Sequence, residues 1–404
     1  MSTSAASDDI LKRQNQSQQV RQRLAMERWP LPVSLLPPET ALVGGAVRDA
    51  LLNRLPDQPD LDLVVPSDAL GLTRHLSKTL KGSCVVLDET RDIARLVLRG
   101  WTIDIARREG SSLEQDLWRR DYRLNAIALP LEPTQSLVDP TGGLEDLARG
   151  QLRAVRESNL SADPLRLLRG LRLLAQIPLT LESTTARWIQ GLRHRLSEAA
   201  PERILAELQK LVAGPYADAA LEMVQHLDLV APWAARQRLP RPGEAERFTT
   251  EERKLALPLA RLCGLISDDG LVRLRASRSL RQRCQRLRHW RQRVGTDGTH
   301  LTESERLQLH LDLDADCLAL ILQLDASVQA TWLQHWRDPE DPLSHPRFPL
   351  TGSTVMDRLS IAPGPQIGVL LAHLREEAAF GRIKNREQAL QEAQRWWNHN
   401  SDAL

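Results

Sequence analysis

Two carboxylates on alternate residues follow a glycine pair and an arginine in the N-terminal quarter of the sequence. The carboxylates are Asp60 and Asp62, in the run Asp-Leu-Asp-Leu-Val-Val, and the arginine is Arg48 in Gly-Gly-Ala-Val-Arg-Asp. An alternating run predicts a strand, whose period of two places both carboxylates on one face. Like charges on one face repel unless a cation lies between them, and oxygen ligands suit Mg²⁺. The pattern indicates metal-assisted phosphoryl or nucleotidyl transfer.

The glycine pair, Gly44 and Gly45, comes directly after the apolar residues 41–43 and directly before a helix-like segment. Glycine permits a tight turn and a close approach of the backbone to a ligand. Main-chain N–H groups at the start of a helix, together with the guanidinium of Arg48, favour a phosphate. Each piece alone is usually a plain turn or a solvated strand edge. Their combination predicts a phosphate and metal site.

Two further motifs carry polar groups suited to the same chemistry. Asp104 lies in the alternating run 101–106 and is a candidate third acid, or else a surface carboxylate on a strand. Arg120, Asp121 and Asn125 follow within one short segment and offer contacts to phosphate, ribose hydroxyl and amide groups. A salt-bridged surface turn is the alternative for that segment.

A third motif begins at Asp163-Pro164 and continues as a basic helix. Aspartate before proline predicts a helix start, and a spacing of three residues places four side chains along one stripe of that helix. They are Asp163, Arg166, Arg169 and Arg172. One acceptor beside several donors could read the edge of a nucleobase and hold phosphates. An ordinary capped basic helix is the alternative.

Strand-like and helix-like runs alternate only in the front part of the chain. Short β-rich runs between residues 41 and 131 predict a small mixed sheet with helices packed on it. After residue 153 the pattern changes to amphipathic helices, for example over 164–175, 201–212 and 217–229. The fold class predicted is α+β, with an all-α remainder.

Composition sets the class of protein. The chain has 404 residues, 42% of them hydrophobic, with a mean hydropathy of -0.36 and a net charge of +2. The sequence shows neither a membrane-spanning run nor a signal peptide, and residues 1–28 are predicted to be a disordered lead-in. The four cysteines are widely spaced, which favours reduced thiols and a cytoplasmic protein without a membrane partner. Nothing in the sequence indicates the oligomeric state.

Arginine outnumbers lysine strongly, since only six of the 54 basic residues are lysine. The guanidinium group binds phosphates in a bidentate manner and stacks on bases, although genomic composition can produce the same bias. Residues 273–293 contain many arginines and no acid. This segment is either a contact to RNA or a solvated helix face, and the sequence leaves both open.

Taken in order, the motifs resemble the class II tRNA nucleotidyltransferase and bacterial poly(A) polymerase family. The resemblance rests on LVGGAVRDALL with DLDLVV, RRDYRLNAIAL, DPTGGLEDL, ADPLRLLRGLRL and APERILAELQKLV. It implies a polymerase-β-like nucleotidyltransferase head with a small mixed sheet, followed by an all-α neck, body and tail. The domains expected are a head over 29–150, a neck over 151–215 and an RNA-binding body and tail over 216–404.

The same resemblance implies roles for individual residues. Asp60 and Asp62 would coordinate two Mg²⁺ ions, and Gly45 with Arg48 would bind the triphosphate of CTP or ATP. Arg120, Asp121 and Asn125 would hold the ribose and phosphates of the nucleotide. Its base would be bound by Asp163 and Arg166. The neck helix and the triphosphate would be supported by Arg169 and Arg172.

The expected activity is template-independent addition of C and A nucleotides to the 3′ end of tRNA. The sequence departs from the family pattern at Ala162, where an acid is usual, and at Tyr122-Arg123, where Phe-Thr is usual. The connection between Asp104 and Arg119 is also short, as in relatives that add only two cytidines. Complete CCA addition is the first hypothesis, and CC-only addition and poly(A) addition are the close alternatives. Two hypotheses from other functional classes stay open: a catalytically silent RNA-binding protein, and an enzyme that transfers a nucleotide to a small-molecule hydroxyl.

Overall fold

The computed structural model describes residues 2–235, 237–241, 243–295, 300–346 and 350–400, with side chains from residue 13 onward. These residues form two units: residues 1–199 with 222–229, and residues 200–221 with 230–404. No helix within the described ranges is long and apolar enough to cross a membrane.

A mixed sheet of six strands lies in the first unit, with the strand order β3-β4-β5-β2-β1-β6. Its strands are β1 Ala41–Val43, β2 Leu61–Val65, β3 Ser83–Asp88, β4 Ile93–Leu98, β5 Trp101–Arg107 and β6 Ala128–Pro130. Two short strands, β7 Gln151–Leu152 and β8 Thr180–Leu181, pair in parallel in a second sheet.

The central strand β2 pairs with β1 in an antiparallel and with β5 in a parallel arrangement. Its leucines, Leu61 and Leu63, are buried in the core of the head. The residue between them, Asp62, lies beside Val43 of β1 and Asp104 of β5 in the register of the sheet. The alternation of apolar and acidic residues therefore places one face in the core and the acids on the other.

Helices surround and follow this sheet in the first unit. They are α1 Ser2–Leu24, α2 Gly45–Leu51, α3 Ala69–Leu80, α4 Leu113–Trp118, α5 Gly143–Ala148, α6 Glu157–Ala162, α7 Leu165–Gln176 and α8 Ser183–Leu192. The apolar side chains of α7 are buried, among them Leu167, Leu168 and Leu171. The helix therefore presents its arginines on the remaining face.

The expected disordered lead-in differs from the structure, in which α1 is a helix. Val20 and Leu24, four residues apart on one helical stripe, are buried in the core of the head. The overall polarity of residues 1–28 hides this stripe, because only a few apolar positions are needed to fasten one face of a helix.

Arg21 fastens the same helix to the head. Its guanidinium donates hydrogen bonds to main-chain carbonyls of the segment 130–135, with distances of 2.7, 2.7 and 2.9 Å to three of them. Main-chain carbonyls at the end of β6 thus receive charged donors that the sequence pattern did not indicate.

The second unit is built from helices. They are α9 Pro201–Val212, α10 Ala217–His226, whose residues from 222 onward belong to the first unit, α11 Thr250–Leu265, α12 Asp268–Arg273, α13 Arg278–Val294, α14 Glu303–Leu313, α15 Cys317–Ile321, α16 Ala326–Arg337, α17 Gly352–Leu359, α18 Pro365–Ala379 and α19 Arg386–Asn400. The predicted helices over 164–175, 201–212 and 217–229 correspond to α7, α9 and α10.

The arginine-rich segment 273–293 forms the end of α12 and most of α13. Several of its side chains form ion pairs with acids of neighbouring elements: Arg283 with Asp316, Arg288 with Asp268 and Arg293 with Glu305. These arginines therefore take part in holding the helices together, and contact with RNA stays a prediction. Cysteines 84, 263, 284 and 317 carry free thiols, as expected.

Candidate active site

Three acids lie close together at the middle of the sheet. Asp62 on β2 and Asp104 on β5 are direct neighbours in the register of the two strands, and Asp60 immediately precedes β2. Burial raises the pKa of Asp62 to about 6, and the negative charges of Asp104 and Asp60 act in the same direction. Arg120 and Arg169 oppose this rise. The sheet thus holds a carboxylate whose ionisation is disfavoured in the absence of a cation.

Asp104 differs from Asp62 because it has an arginine of its own. The guanidinium of Arg95, on the neighbouring strand β4, donates to both of its carboxylate oxygens at 2.7 and 2.9 Å. The structure therefore brings Asp104 beside Asp62, as predicted from the alternating run, and its catalytic role stays a prediction.

The glycine turn lies directly against this acid cluster. Gly44 has a φ of +75°, and a Cβ at this position would lie 3.1 Å from Oδ2 of Asp62. A side chain here would be strained by the backbone conformation and crowded by the carboxylate, so glycine is required. Gly45 begins α2, and its own Cβ position lies beside the guanidinium of Arg48.

Arg48 is buried and fixed on both sides. It donates to both carboxylate oxygens of Asp49 at 3.0 Å and to Oδ1 of Asn125 at 2.6 Å. Arg48 and Asn125, which belong to separate sequence motifs, are thus in direct contact. The geometry holds the guanidinium in one orientation, which favours recognition of a planar or tetrahedral anion.

Arg120 and Asp121 are held by different partners. The guanidinium of Arg120 donates to Oδ2 of the buried Asp116 at 3.2 and 3.0 Å. Asp121 accepts from the main-chain N–H of the next residue at 2.8 Å and lies 3.8 Å from the guanidinium of Arg169. Burial opposes its ionisation, yet Arg169 and Arg166 lower the pKa of Asp121 below its usual value. This carboxylate is therefore charged and paired.

Helix α7 faces the same segment. The helix begins at Leu165 with Pro164 at the N-cap position, so the predicted N-cap, Asp163, lies one residue earlier than the N-cap of the structure. Its carboxylate accepts a hydrogen bond from the N–H of Leu165 at 3.2 Å. Arg166 lies 4.0 Å from Asp163 and donates to the main-chain carbonyls of Arg119 and Asn159 at 3.0 and 3.1 Å.

Along the predicted stripe, Arg166 and Arg169 contact the segment 119–125, whereas Asp163 is paired with Arg166 of α7. Arg172 donates to Gln176, further along its own helix, at 3.5 Å. The role predicted for Arg172 toward a triphosphate stays a prediction.

Sequence reasoning missed three residues that support the site: Arg95, which holds Asp104, and also Asp116 and Asn159. Asp116 holds Arg120, and the spacing of four residues at the end of a short helix is a signal that could have shown this pair. Asn159 donates to the carbonyls of Trp118 and Arg120 at 2.9 and 2.7 Å. Nothing in the sequence indicates that contact, because it joins segments about forty residues apart.

The acid cluster fits a divalent cation through two carboxylates. In the parts of the chain that the structure describes, no group of three or more His, Cys, Asp or Glu side chains is arranged to hold a metal ion. Asp60 and Asp62 nevertheless provide hard oxygen ligands, and burial together with the charges of Asp104 and Asp60 raises the pKa of Asp62, which a bound cation would oppose. A Mg²⁺ ion bound by these two side chains and by substrate oxygens suits this arrangement.

The connection between β5 and α4 covers only residues 108–112 and is held by hydrogen bonds. The N–H of Glu109 donates to Asp116 at 3.0 Å, and the N–H of Ser111 donates to Gln115 at 3.0 Å. The carboxylate of Glu109 also lies 2.8 Å from the guanidinium of Arg119. The connection is therefore short and firmly attached to the helix that follows it.

Two family models match parts of this chain. Residues 40–153 match the model described as poly A polymerase head domain. Residues 178–234 match the model described as probable RNA and SrmB-binding site of polymerase A. The first match contains the acid cluster, the glycine turn and the segment 119–125.

Two relatives are similar over most of their length. A CC-adding tRNA nucleotidyltransferase of Synechocystis sp. is 33% identical over 91% of this chain and 96% of its own. An A-adding tRNA nucleotidyltransferase of Deinococcus radiodurans is 32% identical over 91% of this chain and 98% of its own.

Among solved structures, the fold is similar to that of the CCA-adding enzyme of Bacillus stearothermophilus in complex with CTP. The TM-score is 0.67 with 19% identity, over 95% of this chain and 97% of that chain. At this level of identity the comparison shows the fold, a nucleotidyltransferase head followed by helices, and thus confirms the predicted fold class.

Proposed function

Because this chain belongs to the tRNA nucleotidyltransferase family, we propose that it adds two cytidylates to the 3′ end of tRNA without a nucleic-acid template. The chain is an enzyme of that family, and the number and kind of nucleotides added are the subject of the proposal. The observation that supports addition of cytidines alone is the connection 108–112, which is short and held by hydrogen bonds to α4.

A switch from cytidine to adenosine requires the pocket to accept a larger base after the second addition. A flexible segment beside the pocket provides such adjustment, whereas a fixed connection favours one geometry. The CC-adding relative of Synechocystis sp. supports the same choice. Complete CCA addition, which led in the sequence analysis, is the second candidate, and the fold shared with a CCA-adding enzyme favours it.

The acid cluster would hold Mg²⁺ through Asp60 and Asp62. Bound there, Mg²⁺ supplies Lewis-acid stabilisation of charge on the attacking 3′-oxygen and on the departing pyrophosphate. Asp62 contributes by staying deprotonated once a cation relieves its crowding with Asp60 and Asp104. Gly44 contributes by keeping the space beside the carboxylate open.

The arginines orient the nucleotide. Arg48, fixed by Asp49 and Asn125, would donate to the triphosphate with little loss of side-chain freedom. Arg120 lies near Asp62 and would bind phosphate oxygens close to the cation. Asp121 and Asn125 would accept from and donate to the ribose hydroxyls.

Base selection would depend on Asp163 and Arg166. Cytosine presents an amino donor beside ring acceptors, which matches a carboxylate beside a guanidinium. Adenine presents the same order of groups, whereas uracil presents an acceptor in place of the amino donor. Hydrogen bonding of this kind therefore excludes UTP. The position in which Arg166 is held, together with the size of the pocket, separates CTP from ATP.

The proposal is tested with three tRNA transcripts, ending before CCA, after the first C and after CC. Each is incubated with the purified protein, Mg²⁺ and labelled CTP or ATP, and the products are sized. The proposal expects two C additions to the first transcript, one to the second and none to the third. The Asp62→Ala variant is the matched control for a contaminating polymerase.

Addition of A to the transcript ending in CC would overturn CC-only addition. Together with C addition it would establish complete CCA addition, and alone it would establish an A-adding enzyme. Long A tails on unrelated RNA would establish poly(A) synthesis, and the absence of any incorporation would favour a silent RNA-binding protein.

A further inference from the structure

Tyr122 lies between the segment that carries Arg120 and Asp121 and the helix that carries Arg166. Its side chain is completely buried, and its hydroxyl donates to the main-chain carbonyl of Arg166 at 2.8 Å. That carbonyl belongs to the first turn of α7. The hydroxyl thus reaches the backbone of the residue whose side chain would select the base.

Gly170, on the next turn of α7, leaves the space that the tyrosine occupies. A Cβ at this position would overlap the hydroxyl oxygen and Cζ of Tyr122. Glycine in the interior of a helix is unfavourable, so its presence here calls for a packing reason. The tyrosine hydroxyl provides that reason, because it occupies the groove between Arg166 and Gly170.

Two other contacts join the same two segments. Arg166 donates from its guanidinium to the carbonyl of Arg119 at 3.0 Å, and Arg169 lies 3.8 Å from Asp121. Both involve long, flexible side chains. Tyr122 differs because it joins a rigid ring to the helix backbone, and a rigid contact defines position more closely than a flexible one.

The hydroxyl is a permanent donor. Burial, with the negative charge of Asp121 in addition, raises the pKa of Tyr122 far above its usual range. The hydroxyl therefore stays protonated and can donate to Arg166 at neutral pH. A phenylalanine at this position would have the same ring without this donor.

We propose that Tyr122 and Gly170 form a positioning pair that fixes the first turn of α7, and with it Arg166, relative to the nucleotide. The proposal rests on the proposed function, in which Arg166 contacts the base. Tyr122 touches neither the substrate nor the cation in this scheme. It acts on specificity through Arg166 alone.

The first experiment compares Tyr122→Phe with the wild type. Steady-state kcat and KM are measured for CTP, ATP and UTP on the transcript ending before CCA. Loss of one hydrogen bond predicts a fall of roughly three- to tenfold in the preference for CTP. Tyr216→Phe is the matched control, since Tyr216 is 45% exposed, and its preference should equal that of the wild type.

A purely structural role of Tyr122 would lower kcat for all three nucleotides by the same factor and leave the preference unchanged. That result, or unaltered kinetics, would overturn the proposal. Thermal unfolding of each variant shows whether it is folded at the assay temperature.

The second experiment tests the pair. Gly170→Ala is made in the wild type and in the Tyr122→Phe background, with Gly191→Ala in α8 as control, because a Cβ there meets nothing within 4 Å. The proposal expects a large loss of CTP preference in the wild type. When the hydroxyl is absent the loss should be smaller but still present, because the phenylalanine ring keeps the Cζ atom that the added Cβ also overlaps. Equal losses in both backgrounds would show that the two residues are not coupled.

The variant Arg166→Ala distinguishes a failure of the proposed function from a failure of the positioning pair. If Arg166→Ala leaves the nucleotide preference unchanged, the proposed selection of the base fails. If Arg166→Ala changes the preference and Tyr122→Phe does not, only the positioning pair fails.

Discussion

Asp62 and Asp121 are aspartates of the same site, and their environments shift their pKa values in opposite directions. Asp62 is partly buried on the sheet beside Asp60 and Asp104, and burial together with these charges raises its pKa to about 6. Asp121 is more completely buried, but Arg169 and Arg166 lower its pKa below the usual value. Burial alone therefore does not decide the charge of a carboxylate in this protein, because the neighbouring charges differ.

The two aspartates lie on two different walls of the site, and these walls differ in charge. The strand wall, which comprises Asp60, Asp62 and Asp104, concentrates negative charge and is suited to a cation. The helix wall, which comprises the segment 119–125 and α7, has more arginines than acids and is suited to recognition of the nucleotide by fixed hydrogen bonds. A site built in this way can keep catalysis and selection on separate residues.

The largest expected effect comes from removing the charge of the strand wall. Asp62→Asn should lower the rate of CTP incorporation on the order of a thousandfold or more, because a bound cation contributes several kcal/mol to the transition state. The measurement is single-turnover extension of the transcript ending before CCA. Incorporation within tenfold of the wild type would contradict the role of Asp62.

The same variant should be more stable than the wild type in the absence of metal. A folded-state pKa above the unfolded value means that stability is lost as the pH rises through about 4 to 6. Removing the charge restores up to about 3 kcal/mol at neutral pH, since one pKa unit corresponds to about 1.4 kcal/mol. Urea unfolding at pH 7 with EDTA measures this difference, and a destabilised variant would show that Asp62 is not crowded.

Asp121→Asn should have the opposite effect on stability. Asp121 is buried but the side chain of Arg169 is 37% exposed, so removing the carboxylate should cost about 1–3 kcal/mol. Because the pKa of Asp121 is lowered in the folded state, its contribution is present at neutral pH and is lost as the pH falls below the usual value for aspartate. Asp57→Asn, at an exposed position of the head, is the control for the same unfolding experiment.

A smaller effect is expected at Glu182, whose carboxylate is stabilised by hydrogen bonds instead of arginines. Burial opposes ionisation, but N–H and hydroxyl donors of Thr184 and Thr185 lower the pKa of Glu182 to about 2. Glu182→Gln should cost about 1 kcal/mol, as for loss of a helix cap. The difference should be present above about pH 4.5 and vanish near pH 2, and, unlike that of Asp121, should change little with salt.

The strand wall was largely predictable from the sequence. Alternation predicted a strand over residues 60–65 that carries Asp60 and Asp62; in the structure β2 begins at Leu61, so Asp60 immediately precedes it. The glycines predicted the turn. The pairing of Asp62 with Asp104 depends on the parallel register of β2 and β5, which no local pattern determines. Arg95, which holds Asp104, was missed for the same reason.

The helix wall was predicted only in part. The spacing of Asp163, Arg166 and Arg169 gave the helix and its polar stripe, but not the segment that faces it. Tyr122 and Gly170 are adjacent only after folding, and their match is one of shape. Helix α1 was missed because a few buried apolar side chains are enough to hold a polar segment.

The separation of the two walls is tested most directly by equilibrium binding of CTP and ATP to the protein bound to a transcript ending before CCA. Asp62→Asn should weaken both nucleotides equally and keep the wild-type ratio of their Kd values. Arg166→Ala should bring that ratio close to one. A ratio that is lost in Asp62→Asn and kept in Arg166→Ala would contradict the assignment of catalysis to the strands and of selection to the helix.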